Sequence, residues 1–339
     1  MSEIIERYSF NVPKFETSKQ AHIGGQGGKK CGRNCATCPA FGNGCNGCTA
    51  IDALGCPDNH CEASACSICA VQCHRGGARL AQTIETIGGF EIDYKLTIDP
   101  LFSVDCGYYP SIHRPLKIGD ADGAAAISIP WHVFYNFQTD SPVSLDLRDK
   151  FRIPDGVKLI VNSYMKDDKV LCLFEKMSNK SFLPLLKSFV GVDYWHTPCF
   201  SVFNVSNKMD QLTNFKRQFW AGDIMRDAGI NTIQEVLYTD ANQHKVSAGW
   251  TEAIDIIQKK GIKKISQCGQ LDSGSALKSD VQFYKNLPRD ATLIITGLQS
   301  RLRDATKVAR CNVIFSDYLT QYDQRGNTDF IRQSNNGSY

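Results

Sequence analysis

From about Gly88 onward, short runs rich in Val, Ile and Leu recur along the chain, separated by longer stretches with apolar residues every third or fourth position. The runs are "FEIDYKLTI" from Phe90, "AAAISIP" from Ala124, "VKLIVNSY" from Val157 and "TPCFSVF" from Thr197. They continue with "TIQEVLY" from Thr232, "IKKISQC" from Ile262, "ATLIITG" from Ala291 and "NVIFSDY" from Asn312. Several are nearly continuous in branched apolar residues. Strands buried on both faces read this way, as in a parallel sheet covered by helices.

The intervening stretches carry the helical period. "QLTNFKRQFWAGDIMRDAG" puts Leu212, Phe215, Phe219 and Ile224 near one face and closes on Gly229, a residue suited to the left-handed turn after a helix. "SAGWTEAIDIIQKKG" repeats the pattern, with Ser247 as a candidate N-cap and Gly261 at its end. Eight strands with crossover helices predict an α/β fold, a (β/α)8 TIM-like barrel. The first gap, "PLFSVDCGYYPSIHRPLKIGDADG", lacks a convincing helix, so an open doubly wound parallel sheet is the alternative.

Before Gly88 the pattern disappears. Ten of the 15 cysteines lie between Cys31 and Cys73, in a stretch too poor in Leu, Ile and Val to bury a core. Metal binding can order such a segment, because its free energy then serves as folding free energy. The chain divides into a cysteine-rich region, residues 1–87, and a barrel domain, residues 88–339.

The totals limit the setting. With 42% hydrophobic and 22% charged residues and a net charge of +3, nothing argues for a global field toward nucleic acid or anionic lipid, although nucleic acid stays open as a ligand. No apolar run approaches the ~18 residues of a membrane span, and the start "MSEIIERYSF" lacks a signal-peptide core. A reducing cytoplasm is therefore expected, where closely spaced cysteines serve as metal ligands or redox groups more often than as disulfides. Lys259-Lys260 and Lys263-Lys264 read as solvated helix ends.

Cys31, Cys35 and Cys38 read C-x3-C-x2-C, Cys45 and Cys48 form a C-x2-C pair, and Cys56 stands alone. Cys61, Cys66, Cys69 and Cys73 read C-x4-C-x2-C-x3-C. Close thiolates at such spacings hold 4Fe–4S clusters, and two clusters would use eight of these ten thiols. Zinc is the competitor, since C-x2-C knuckles recur at Cys35/Cys38, Cys45/Cys48 and Cys66/Cys69. The C-x3-C-x2-C trio is also the signature of radical S-adenosylmethionine (SAM) enzymes, with "GGFE" from Gly88 as a loose echo of their cofactor-binding glycines. The absence of a preceding strand and the seven further cysteines depart from that family.

From about Ser141 the chain resembles an uncharacterised barrel-like family of bacteria and phages, domain of unknown function 4417. "SPVSLDLRDKFRIPDGVKLIVNSYMKDD", "TPCFSVFNVSNKMDQLTNFKRQFWAGDIMRDAGI" and "SAGWTEAIDIIQKKGIKKISQCGQ" carry the likeness. The stretch "CGRNCATCPAF" followed by "CNGC" resembles another uncharacterised cysteine-rich module of metal-binding type. Neither resemblance implies a substrate or carries over a catalytic residue.

In an α/β barrel the active site lies at the C-terminal ends of the strands. Of the polar residues expected there, His132 and Asp317 could exchange a proton near neutral pH, while Asn162 and Gln267 suit orientation of a polar substrate. Ser163, Ser201, Tyr238, Asp240, Gln270, Thr296 and Ser316 complete the expected rim, and His196 reads as a structural residue ahead of its strand. The functional expectation is an iron–sulfur enzyme. Its clusters would deliver electrons from a ferredoxin or flavodoxin, or initiate a radical, at the barrel mouth. The substrate would be a polar small molecule or nucleotide. The alternative is a zinc-stapled barrel that binds or modifies a nucleotide or nucleic acid without redox chemistry.

Overall fold

The computed structural model describes residues 77–96, 99–104, 106–117, 123–165, 167–178, 181–202, 208–239, 248–268, 278–297 and 299–318. The ten clustered cysteines from Cys31 to Cys73 lie outside the described residues, as do Asp240, Ser247 and Gln270.

Eight strands form one closed parallel barrel: β1 (Tyr108–Ser111), β2 (Ala126–Pro130), β3 (Lys158–Asn162), β4 (Tyr194–His196), β5 (Thr232–Glu235), β6 (Lys264–Cys268), β7 (Thr292–Thr296) and β8 (Asn312–Tyr318). Each strand pairs with the next in the chain, and β8 returns to β1 with Phe315 opposite Tyr108. Closure excludes the open doubly wound sheet.

Helix α1 (Gly77–Thr86) precedes the barrel, its Ile84 buried with Leu212 and Phe215. Between β2 and β3 come α2 (Trp131–Phe134), a short hairpin of Tyr135–Asn136 against Ser141–Pro142, and α3 (Leu147–Phe151). Helices α4 (Asp167–Ser178) and α5 (Phe182–Ser188) link β3 to β4. Single helices make the later crossovers: α6 (Lys208–Asp227), α7 (Trp250–Lys260), α8 (Lys278–Asn286) and α9 (Gln299–Val308). Among the described residues no helix links β1 to β2, and no helix is long and apolar enough to cross a membrane.

The glycine stops hold. Gly229 and Gly261 adopt φ of +75° and +68° after α6 and α7, where only glycine is free of steric cost. Gly222 serves closeness instead: a Cβ there would collide with Gln234 Oε1, so α6 can lie tight on β5.

Two expected strands are displaced. "FEIDYKLTI" begins with Phe90 and Ile92 in the core, but residues 91–96 join no ladder, and the Glu91 carbonyl accepts from Lys216 Nζ instead. The first strand is the unpromising "YYPS". The fourth is "YWH", three residues before the expected "TPCFSVF".

The lysine pairs are also not simply solvated. Lys260 is buried and donates to Asp223 Oδ2 at 3.0 Å, and Lys264 is buried against Asp99. Burial pulls the Lys264 pKa down while Asp99 pulls it up. Lys264 also donates to the Pro100 carbonyl, and Phe102 lies 4.8 Å from the Tyr194 ring. Lys264 and Tyr194 open their strands, so the segment Asp99–Val104 closes the N-terminal end of the barrel.

Candidate functional site

Side chains alternate across a strand, so residues two apart share a face. Tyr109, Ala126, Ile160, Tyr194, Ile233, Ile294 and Ile314 pack together as one buried cluster. Their strand neighbours Leu293, Ile295 and Phe315 pack instead with the helices. The first set therefore fills the barrel interior. Two residues further along, every strand places a polar side chain on that inner face: Ser111, Ser128, Asn162, His196, Glu235, Ser266, Thr296 and Ser316. All eight are buried. The barrel thus holds a polar ring above an apolar layer, at the C-terminal ends of its strands.

Part of this ring is internally satisfied. Asn162 Nδ2 donates to Ser111 Oγ at 3.1 Å and to Ser128 Oγ at 3.2 Å. Tyr164, just beyond β3, reaches across to hydrogen-bond Ser266, and Thr296 Oγ1 donates to its phenol at 3.2 Å. Burial first, then the charges of Glu235 and Cys268, raise the Tyr164 pKa well above its ordinary value. At neutral pH it is a neutral phenol.

His196 and Glu235 are the two carboxylate or imidazole members of the ring. His196 Nδ1 lies 2.5 Å from Glu235 Oε1, with side-chain exposures of 1% and 0%. The Tyr164 ring stands edge-on to the imidazole, with centroids 5.4 Å apart. Backbone hydrogen bonds set the pair: Glu235 N–H donates to Thr197 Oγ1 at 2.9 Å, and Ser163 Oγ donates to the Thr197 carbonyl at 2.6 Å. Yet His196 Nε2 and Glu235 Oε2 are buried without a hydrogen-bond partner among the described residues. So is the Tyr109 hydroxyl, whose pKa is driven up by burial and then by the charges of Cys106 and Glu235, with the Ser316 hydroxyl opposing. Buried polar atoms normally find partners.

The sequence-predicted residues separate. Asn162 belongs to the ring. Gln267 shares the face of β6 with Ile265, toward the helices, and its amide bonds Tyr238 (3.1 Å) and Asp280 (3.3 Å) while accepting from Tyr284 (2.7 Å). Asp317 is buried on the face of β8 that carries Val313 and Phe315, again toward the helices. His132 lies on α2 with its ring 5.3 Å from that of His113. Partial burial, with the like charges of His113 and Lys169, lowers its pKa to about 4. The structure therefore does not bring His132 and Asp317 to one face of the barrel wall. His196 and Glu235 make the contact instead. The missed signal was a short aromatic strand ending in a histidine.

Among the described residues, no three His, Cys, Asp or Glu side chains are placed to hold a metal ion. The proposed ligands from Cys31 to Cys73 lie outside those residues.

No protein-family model matches the chain, and no curated protein does. Among solved structures, it is similar to a protein from Burkholderia cenocepacia J2315 provisionally named a phosphonomutase. Identity is 13% over 68% of this chain and 96% of that one, with a TM-score of 0.35. A cube-shaped, highly porous designed protein cage, built by fusing symmetric oligomeric domains, matches at 12% identity, over 67% of this chain and 76% of that one, with a TM-score of 0.32. Overlaps this loose have no bearing on chemistry.

Proposed function

We propose that this chain is an α/β-barrel enzyme that moves a proton on a small polar or nucleotide-type substrate at the C-terminal end of its barrel. His196 is the acid–base group and Glu235 the residue that orients it. The observation that carries the reading is the buried His196 Nδ1–Glu235 contact, with Nε2 left without a partner among the described residues.

A carboxylate on Nδ1 holds that proton and leaves the Nε2 lone pair as the reactive site. When Nε2 takes a proton from a substrate, the Glu235 charge stabilises the imidazolium that results. Tyr164 and Tyr109, both neutral phenols, are then hydrogen-bond donors rather than bases. Tyr164, edge-on to the imidazole and bonded to Ser266 and Thr296, packs beside the His196 ring.

The cysteine-rich region completes the proposal. Its thiolates would hold 4Fe–4S clusters, which supply single electrons when bound and are charged by a ferredoxin or flavodoxin. The trio Cys31, Cys35 and Cys38 is the candidate for a SAM-binding cluster. The spacing of the thiols supports this.

A ligand panel of nucleotides and small polar acids, scored by thermal shift on the full chain, should yield binders. Turnover of a binder should fall by about 10²–10⁴-fold in His196→Gln. Full turnover in both His196→Gln and Glu235→Gln would overturn the acid–base assignment. Separately, anaerobic purification should give brown protein with about eight iron atoms per chain if two clusters bind. A SAM-dependent version should release 5′-deoxyadenosine under reductant. Colourless, zinc-loaded protein would replace the clusters with a structural metal.

A further inference from the structure

We propose that Tyr109 is a specificity-determining residue of the barrel site, and that with His196 and Glu235 it selects a neutral amide-type group, an NH2 beside a carbonyl or ring nitrogen, over a carboxylate or phosphate. This rests on the acid–base reading of His196 and Glu235 and names the chemical class that they receive.

Tyr109 comes from β1, which lies four strands from β5 in either direction around the closed barrel, and so on the wall facing Glu235. Its side chain packs in the interior with Ile160 and Ile233, and its backbone is in register with Ser316 of the polar ring. An eight-stranded barrel is just wide enough for side chains to fill, so a tyrosine rooted on one wall carries its hydroxyl toward the middle. There the hydroxyl is buried without a hydrogen-bond partner among the described residues, as are His196 Nε2 and Glu235 Oε2. The charge of Glu235 acts on the phenol, in keeping with that placement. Elsewhere in the ring Asn162 is bonded to Ser111 and Ser128, and Tyr164 to Ser266 and Thr296.

The three atoms differ in kind. With its Nδ1 proton held toward Glu235, His196 accepts at Nε2, and Glu235 accepts at Oε2. The Tyr109 phenol, kept neutral by burial, donates. Their complement is a group with two donors and one acceptor. A primary amide has both: its NH2 meets the two acceptors, and its oxygen takes the hydrogen bond from the phenol. The amino edge of a nucleobase repeats the pattern with a ring nitrogen as acceptor. A carboxylate or phosphate brings no donor, and its charge opposes that of Glu235 inside a poorly screened interior. Water also carries two donors and is the rival occupant.

The test follows the ring nitrogens of His196 by NMR in the full chain at pH 7, with three probes of one shape: acetamide, acetate and acetone. Acetamide should shift the Nε2 signal and saturate. Acetone, which lacks a donor, and acetate, which lacks a donor and carries a like charge, should leave it in place. Tyr109→Phe should weaken acetamide binding about tenfold. Glu235→Gln should admit acetate, because it removes the like charge and supplies a donor. Cytosine distinguishes the source: tighter binding than acetamide marks a nucleobase edge, weaker binding a carboxamide. A His196 signal unmoved by acetamide and by cytosine would leave water as the occupant and overturn the inference. So would an equal response to acetate or acetone in the unaltered chain, or unchanged acetamide affinity in Tyr109→Phe. Failure of the proton-transfer reading looks different: turnover survives in His196→Gln while the unaltered chain still prefers acetamide.

Discussion

Two buried polar clusters line opposite faces of the same barrel wall. On the helix side of β6, Gln267 is bonded to Tyr238, Asp280 and Tyr284, and Arg301 pairs with Asp280 at 3.3 Å. On the inner side of β4 and β5, His196 and Glu235 meet each other, yet each keeps one buried polar atom without a partner among the described residues. The helix-side cluster bonds Gln267, Tyr238, Tyr284, Asp280 and Arg301 to one another and fastens α8 and α9 to the sheet. The inner one retains unspent bonding capacity, which costs stability and has value only if something else uses it. An acid–base pair turned to the barrel interior, rather than burial alone, distinguishes the inner cluster from the fastening one.

The comparison breaks most easily at Asp280. Asp280→Ala leaves Arg301 in a site built for its counter-charge, and should cost about 3–5 kcal/mol in urea unfolding. Glu235→Gln should do the reverse. It should leave urea stability within about 1 kcal/mol while lowering turnover at least about a hundredfold. A large stability loss there would make the pair a fastener too.

Acidification offers a third discrimination. The folded-state pKa of His132, about 4, lies below its ordinary value of 6.5. The unfolded chain therefore binds the proton more readily, and stability falls as pH drops from 6.5 toward 4. Discounted for partial exposure, the loss is roughly 1–2 kcal/mol. His132→Gln should flatten the profile in that window, as measured by thermal melts across pH. Tyr284→Phe should cost about 1 kcal/mol by removing the bond to Gln267. Tyr109→Phe is the smallest change and opposite in sign. It removes an unsatisfied hydroxyl, so the melting temperature should stay level or rise slightly.

Six of the strands were legible, most clearly where both faces are apolar, as in "LIV" of β3 and "LII" of β7. β1 was hidden by its proline. Pro110 cannot donate to a ladder, yet it occupies a register position opposite Asp317. β4 is only Tyr194–His196, and the more apolar residues after it drew the assignment three positions along. That shift misread His196, because a strand's last residue became the residue before its start. Asp317 and Gln267 failed for a related reason. Their place at strand ends was right, but the side they face follows from a register that only neighbouring strands fix. Lys264 looked solvated because its counter-ion, Asp99, lies far away in the chain.

The closed lower end of the barrel has a consequence for traffic. With Asp99 and Lys264 joined beneath a filled layer of isoleucines and tyrosines, the ring of polar side chains is shut off from below. Under the proposed function, substrate, product and any transferred proton would share one side of the barrel, the side on which the strands end.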